Sequence, residues 1–148
     1  MPAAPASLPS AEVETLEGVP AEVVRAAQGR VALVNLWATW CDACLDELDA
    51  LNRLDATVAP ARAAVVIGVA VGERRETVAA FARRRGLRYL QLVDPEFRFA
   101  DAVGQRSVPA TLVVDRDGRI VYRSSALDAG TLDALRRAMA RQEARATP

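Results

Sequence analysis

With 19 basic and 19 acidic side chains in 148 residues, the chain has no charge excess to hold nucleic acid, and its length suits one core rather than two. Two Cys and no His leave only carboxylates to complete a tetrahedral zinc site, so structural zinc is close to excluded and no metal or cofactor is expected. All the basic residues are Arg, a bias that together with the abundant Ala reads as coding composition rather than function.

Met1 to Ser10 is rich in Pro, Ala and Ser without periodicity, which predicts a flexible lead over residues 1–10 and a single domain over 11–148. It holds no apolar signal core, and no later run is long enough to span a bilayer. Val31 to Trp37 is a short run rich in β-formers, as in a central strand covered on both faces. From Cys44 the apolar residues Cys44, Leu45, Leu48, Leu51 and Leu54 recur at helical steps with Asp46, Glu47, Asp49 and Arg53 between them. Ala64 to Val71 predicts a second buried strand, and Glu73 to Arg85 a helix with Val78, Phe81 and Ala82 inward and Gly86 as its stop. The triplet Arg83-Arg84-Arg85 reads as a solvated helix end near a favourable dipole terminus rather than a docking patch.

Leu87 to Val93 predicts the next strand, and Asp94-Pro95 opens a short helix through Phe97, Phe99 and Val103 that Gly104 ends. Asp117-Gly118 is a hairpin signal that makes Thr111 to Asp115 and Arg119 to Arg123 antiparallel neighbours. Thr131 to Arg141 predicts a last amphipathic helix with Leu132, Leu135 and Met139 on its buried side. The sum is an α/β fold, a mixed central sheet with helices on both faces and no internal repeat.

Both cysteines lie in Cys41-Asp42-Ala43-Cys44, directly after Trp37-Ala38-Thr39-Trp40. At that spacing at a helix start their Cα atoms are about 5 to 6 Å apart, so a disulfide can close and open with little backbone movement. A purely structural staple is a poor reading, because so small a loop returns about 2 kcal/mol against about 3 for fifteen residues. Covalent haem attachment needs a His where Leu45 stands. Redox exchange remains.

The stretch Val34 to Cys44, Val-Asn-Leu-Trp-Ala-Thr-Trp-Cys-x-x-Cys, resembles the thioredoxin superfamily, and more closely its TlpA/ResA-type branch of thiol-disulfide reductases. A second motif, Ser107-Val108-Pro109-Ala110-Thr111 before the strand Leu112 to Asp115, is similar to that family's cis-proline loop. The resemblance spans roughly Val31 to Val121 and implies a thioredoxin fold, a cis bond before Pro109, and a Val108 backbone facing the cysteines to pair with an extended substrate. Cys41, at the helix N-terminal side, is then the attacking sulfur with a lowered pKa, and the deeper Cys44 resolves the mixed disulfide.

Thioredoxin has a buried Asp where this chain has Asn35, which cannot titrate. Cys41-x-x-Cys44-x-x-Glu47 resembles the ResA-like pattern in which the acid tunes the cysteines, so Glu47 is the candidate base, against its reading as a solvent-facing helix residue. Asp42 disfavours the Cys41 thiolate while favouring the helix start, which points to a reducing couple nearer about −270 mV than about −120 mV. Trp40 is assigned to the docking surface around the sulfur and Trp37 to the core.

The resemblance implies a reductase of protein disulfides, with apocytochrome c thiols or other envelope proteins as substrates and an upstream thiol protein as electron donor. Nucleic acid is not expected as a partner, and a monomer is. Taken literally, the chain is soluble and stays where it was made. Since members of the branch commonly work outside the cytoplasm behind a signal or anchor, a periplasmic or extracytoplasmic site is the preferred expectation, with a membrane tether outside this chain and a cytoplasmic site as the alternative. Two other functions are weighed. A peroxidase of the peroxiredoxin kind lacks its Pro-x-x-x-Thr-x-x-Cys pattern, since Ala38 holds the Thr place, and a metal or copper chaperone is disfavoured by the missing His.

Overall fold

The computed structural model describes residues 6–146. Two short strands, β1 (Glu12–Thr15) and β2 (Pro20–Glu22), and one helical turn, α1 (Val23–Ala26), precede the central strand β3 (Ala32–Trp37). After it come α2 (Asp42–Leu45), α3 (Leu48–Val58), β4 (Val65–Val71), α4 (Arg75–Arg85) and β5 (Leu90–Asp94). The chain closes with α5 (Arg98–Val103), β6 (Ala110–Val114), β7 (Ile120–Ser124) and α6 (Ala129–Ala146). The strands form one sheet in the order β2-β1-β5-β4-β3-β6-β7. β3, β4 and β5 run parallel, and β6, β7 and the β1–β2 hairpin are antiparallel to their neighbours, which is the mixed sheet expected from the sequence.

Apolar runs fill the middle of the sheet because both of its faces are covered. Every residue of β3 is buried, as is all of β4 except the half-buried Val65. On one face Val31 and Leu33 pack with Leu51 and Val58 of α3 and with Ala134, Leu135 and Ala138 of α6. On the other, Val34 and Leu36 pack with Phe99, Ala100 and Val103 of α5 and Val23 of α1. Gly86 and Gly104 end α4 and α5 in the left-handed conformation, φ 72° and 75°, as their positions in the sequence predict.

Several expectations change. The helix expected from Cys44 is two pieces, because the Leu45 carbonyl accepts the Arg85 guanidinium at 3.1 Å and the Glu47 amide bonds to Cys44 O, three residues back rather than four. Leu132 is 40 % exposed, and the buried stripe of α6 is Thr131, Ala134, Leu135 and Ala138, since the helix lies along β6 and β7 by its small residues. β5 starts at Leu90 rather than Leu87. Of the lead expected over 1–10, residues 1–5 lie outside the described residues. Beyond them Ile120 N donates to Ala6 O at 2.7 Å, Leu8 N donates to Gly118 O at 2.9 Å, and the Leu8 side chain is buried in the core. Packing therefore starts before Ala11, because Leu8 finds an apolar seat where composition alone suggests none.

Asp128 caps α6: its Oδ2 accepts from the Ser124 hydroxyl at 2.7 Å, and its Oδ1 accepts from Thr131 N at 2.8 Å, the Thr131 hydroxyl at 2.9 Å and the Tyr122 hydroxyl at 3.1 Å. The Ser124 hydroxyl and the Thr131 bonds hold its pKa at about 2, below the ordinary 3.8. A depressed folded-state pKa stabilises above the unfolded value and is lost as pH falls through the folded one. The start of α6 is therefore expected to loosen between about pH 4 and pH 2, and Asp128→Asn to remove that step. Amide exchange of residues 128–132 against pH measures it.

Candidate active site at the Cys41–Cys44 turn

β3 ends at Trp37, and the chain turns at once: Cys41 N donates to Ala38 O at 3.2 Å. Cys41 is the N-cap of α2, and its Sγ accepts from Cys44 N at 3.2 Å. The helix start thus points an amide at the first sulfur, which favours negative charge there when the pair is reduced. The two sulfurs form a disulfide with Cα atoms 5.2 Å apart. Cys41 retains 7 % of its surface, and Cys44 is 1 % exposed. The more accessible sulfur is the one at the cap.

Pairing of β3 with β6 places Leu36 opposite Ala110, so residues 108 and 109 emerge at the same sheet end as Trp37. The Val108–Pro109 bond is cis. Val108 packs against the apolar cluster that contains Cys41, Cys44, Trp37 and Leu48, which brings the two separated motifs into one site. Trp40 is 69 % exposed beside Cys41, and Trp37 is fully buried with its indole N–H donated to Gln91 Oε1 at 3.1 Å. Asp42 is exposed in the first turn of α2.

Glu47 is half-buried at the joint between α2 and α3, not solvent-facing. Its Oε2 accepts from Leu127 N at 2.7 Å, and its Oε1 is buried without a protein hydrogen-bond partner. Asn35 is buried one step behind Trp37 on the same face of β3, its Nδ2 donating to Ala110 O at 3.4 Å. Of the Arg83-Arg84-Arg85 triplet, Arg85 ties α4 to the Leu45 carbonyl and lies 3.9 Å from Asp49. Among the described residues no group of three His, Cys, Asp or Glu is placed to hold a metal ion.

Sequence reasoning missed Glu73, which it placed as the first residue of a helix. In the fold Glu73 lies before α4 and grips the turn: its Oε2 accepts from Thr39 N at 2.9 Å, and its Oε1 is in close contact with the Thr39 hydroxyl. No local signal marks it, because its partner lies 34 residues earlier. Bonds to a charged acceptor contribute about 1.5–3 kcal/mol. Glu73→Ala should therefore destabilise the fold by about 1–3 kcal/mol and slow alkylation of Cys41 in the reduced protein severalfold, whereas Glu73→Gln keeps part of both. Urea unfolding and iodoacetamide kinetics read the two effects.

The AhpC/TSA family profile matches residues 5–123. The thiol-disulfide oxidoreductase ResA of Geobacillus thermodenitrificans is 29 % identical over 93 residues, 63 % of this chain and 53 % of that protein. The thioredoxin-like protein YneN of Bacillus subtilis is 33 % identical over 113 residues, 76 % of this chain and 65 % of that protein. This chain therefore spans about half to two thirds of these relatives' lengths. Among solved structures, a secreted thiol-disulfide isomerase from Corynebacterium glutamicum superposes with a TM-score of 0.76 at 24 % identity, covering 89 % of this chain and 84 % of that one. The fold is that of thioredoxin, as the resemblance in the sequence implies.

Proposed function

The chain belongs to the AhpC/TSA family, and from that membership and the geometry of its sulfurs we propose that it is a thiol-disulfide oxidoreductase that reduces protein disulfides. The observation that carries the reading is the asymmetry of the pair: Cys41 caps a helix next to exposed Trp40 and keeps a small accessible edge, while Cys44 is fully buried against the end of β3. In the reduced protein the Cys41 thiolate attacks a substrate disulfide, whose S–S bond breaks as the first substrate sulfur leaves with the electron pair and takes up a proton. Cys44 then gives up its proton and attacks Cys41 Sγ. The mixed disulfide breaks, the second substrate sulfur leaves reduced, and Cys41 and Cys44 are joined. Two electrons have passed to the substrate, and a donor thiol protein restores the dithiol.

Trp40 and Val108 supply the docking surface, with the backbone beside cis-Pro109 open to an extended substrate segment in the manner of an added strand. Glu47 receives the Cys44 proton, a role supported by its place one turn beyond Cys44 and by its unpaired buried oxygen. Asp42, exposed beside Cys41, opposes its thiolate and favours a reducing couple. The protein works as a monomer outside the cytoplasm. The secreted neighbour above supports that location, and among the described residues no helix is long and apolar enough to cross a membrane.

In Cys44→Ser the second step is blocked, so substrate proteins are expected to accumulate on Cys41 as mixed disulfides that a reductant releases. Non-reducing gels followed by mass spectrometry name them. Recovery of envelope proteins agrees with the reading, cytoplasmic proteins relocate it, and failure to trap any disulfide while the wild type consumes peroxide replaces it with a peroxidase. Glu47→Gln should slow resolution about a hundredfold near neutral pH and flatten its pH dependence, the lower end of what a positioned base contributes. Unchanged rates across pH remove Glu47 from the mechanism.

A further inference from the structure

Phe97 is one of two non-Gly residues among those described that hold a positive φ, at 60°. A bulky side chain keeps that left-handed conformation only where its surroundings fix it, and such outliers gather at functional sites. Three contacts fix it here. Gly72 N donates to Asp94 O at 2.9 Å and Phe97 N donates to the same carbonyl at 3.3 Å, which brings the turns after β4 and β5 together. A Cβ on Gly72 would sit 2.5 Å from Phe97 Cζ, so the ring fills the space that Gly72 leaves bare. On the ring lies Arg106, its Cζ 4.5 Å from the centroid, a cation–π contact.

Arg106 is also held by its edge. Its Nε donates to Asp101 Oδ1 at 2.5 Å and its Nη2 to Asp101 Oδ2 at 3.3 Å, the fork geometry that suits a carboxylate. Face and edge together fix a side chain that is still 64 % exposed. Two of the five guanidinium N–H groups are used, so three remain to donate. An exposed arginine ordinarily loses much rotamer freedom when it binds, and this one has lost it already.

The clasp stands at the rim of the sulfur site. Gly72 precedes Glu73, which grips Thr39 of the cysteine turn, and Arg106 lies two residues before Val108, which packs against the cluster that holds Cys41. A substrate segment laid on the Val108 backbone therefore passes Arg106 within about two residues of its target cysteine, about 7 Å of chain. Of the other cations at this end of the sheet, Arg98 pairs with Glu96 at 3.1 Å and Arg75 with Glu76 at 3.4 Å, which leaves exposed Arg74 as the rival. We propose that Arg106 is a substrate-selecting residue that donates hydrogen bonds to an acidic side chain about two residues from the target cysteine of a protein disulfide, with Phe97 and Asp101 as the positioning residues that hold it. This role rests on the dithiol reading above.

Peptides with one cysteine in disulfide linkage to nitrothiobenzoate, and Glu, Gln or Lys two residues before or after that cysteine, test the proposal on the reduced protein. The Cys41 thiolate attacks the peptide sulfur, nitrothiobenzoate leaves with the electron pair, and Cys44 then displaces the peptide thiol as the Cys41–Cys44 bond forms. On one side of the cysteine the Glu peptide is expected to exceed the Lys peptide about fivefold in the second-order rate of nitrothiobenzoate release, and the difference to shrink in about 0.5 M salt. Arg106→Gln should bring that ratio to about one and Phe97→Leu should lower it, whereas Arg106→Lys keeps part of it. Each ratio is taken within one protein, so a general change in reactivity cancels. An equal ratio in the wild type and Arg106→Gln overturns the proposal, as does a preference for Lys or one abolished by Arg74→Gln instead. Neutral dithiodipyridine separates the two readings: a wild type that releases thiopyridone from it but ignores peptide charge refutes the selection alone, and one that releases none refutes the dithiol reading with it.

Discussion

The pairing of β3 with β6 is the constraint on which the rest of the site depends. Placing Leu36 opposite Ala110 carries the cysteine turn and the cis-proline loop to one end of the sheet. A slip of one residue would reverse every side chain of β6 between the two faces. Leu112 and Val114 would then leave the cluster around α5, and Val113 the cluster under α6. Since both faces are fully buried at this strand, such a slip would exchange packed side chains of different shape and carry Thr111 to the face packed by α5, so the register is specified by the core rather than by the loop.

Around that pairing the turn is held by contacts from three directions. Glu73 grips Thr39 from the far end of β4, Arg85 takes the Leu45 carbonyl from the end of α4, and Glu47 reaches Leu127 before α6. Together they explain why the first helical turn after Cys41 is separate from α3. A continuous helix would use the Leu45 carbonyl internally; here the guanidinium replaces that partner, and the break sets Glu47 at the joint. The same joint that interrupts the helix gives its carboxylate a half-buried seat three residues beyond Cys44.

The strands, the helix ends and the sulfur pair were legible because their signals are local. Continuous apolar runs marked β3 and β4, Gly86 and Gly104 marked the ends of α4 and α5, and Asp117-Gly118 marked the β6–β7 hairpin. β1, β2 and α1 were not legible, since each is only three or four residues long and gains its stability from docking on β5 and the core. Leu132 fitted the apolar periodicity of α6, yet the helix turns the smaller Ala134 and Ala138 toward the sheet, where close approach favours little side chain.

What the sequence determined by itself was chemistry and periodicity: two thiols at the spacing of a helical turn, no histidine, and buried strands of fixed length. Only the tertiary structure decided which polar groups meet. Thr39 with Glu73, Glu47 with the amide of Leu127 80 residues later, and Trp37 with Gln91 are products of strand register and helix packing. The physical reason is range. Dihedral preference and apolar period act over a few residues, whereas a hydrogen bond between distant side chains exists only after the core has fixed how their elements cross.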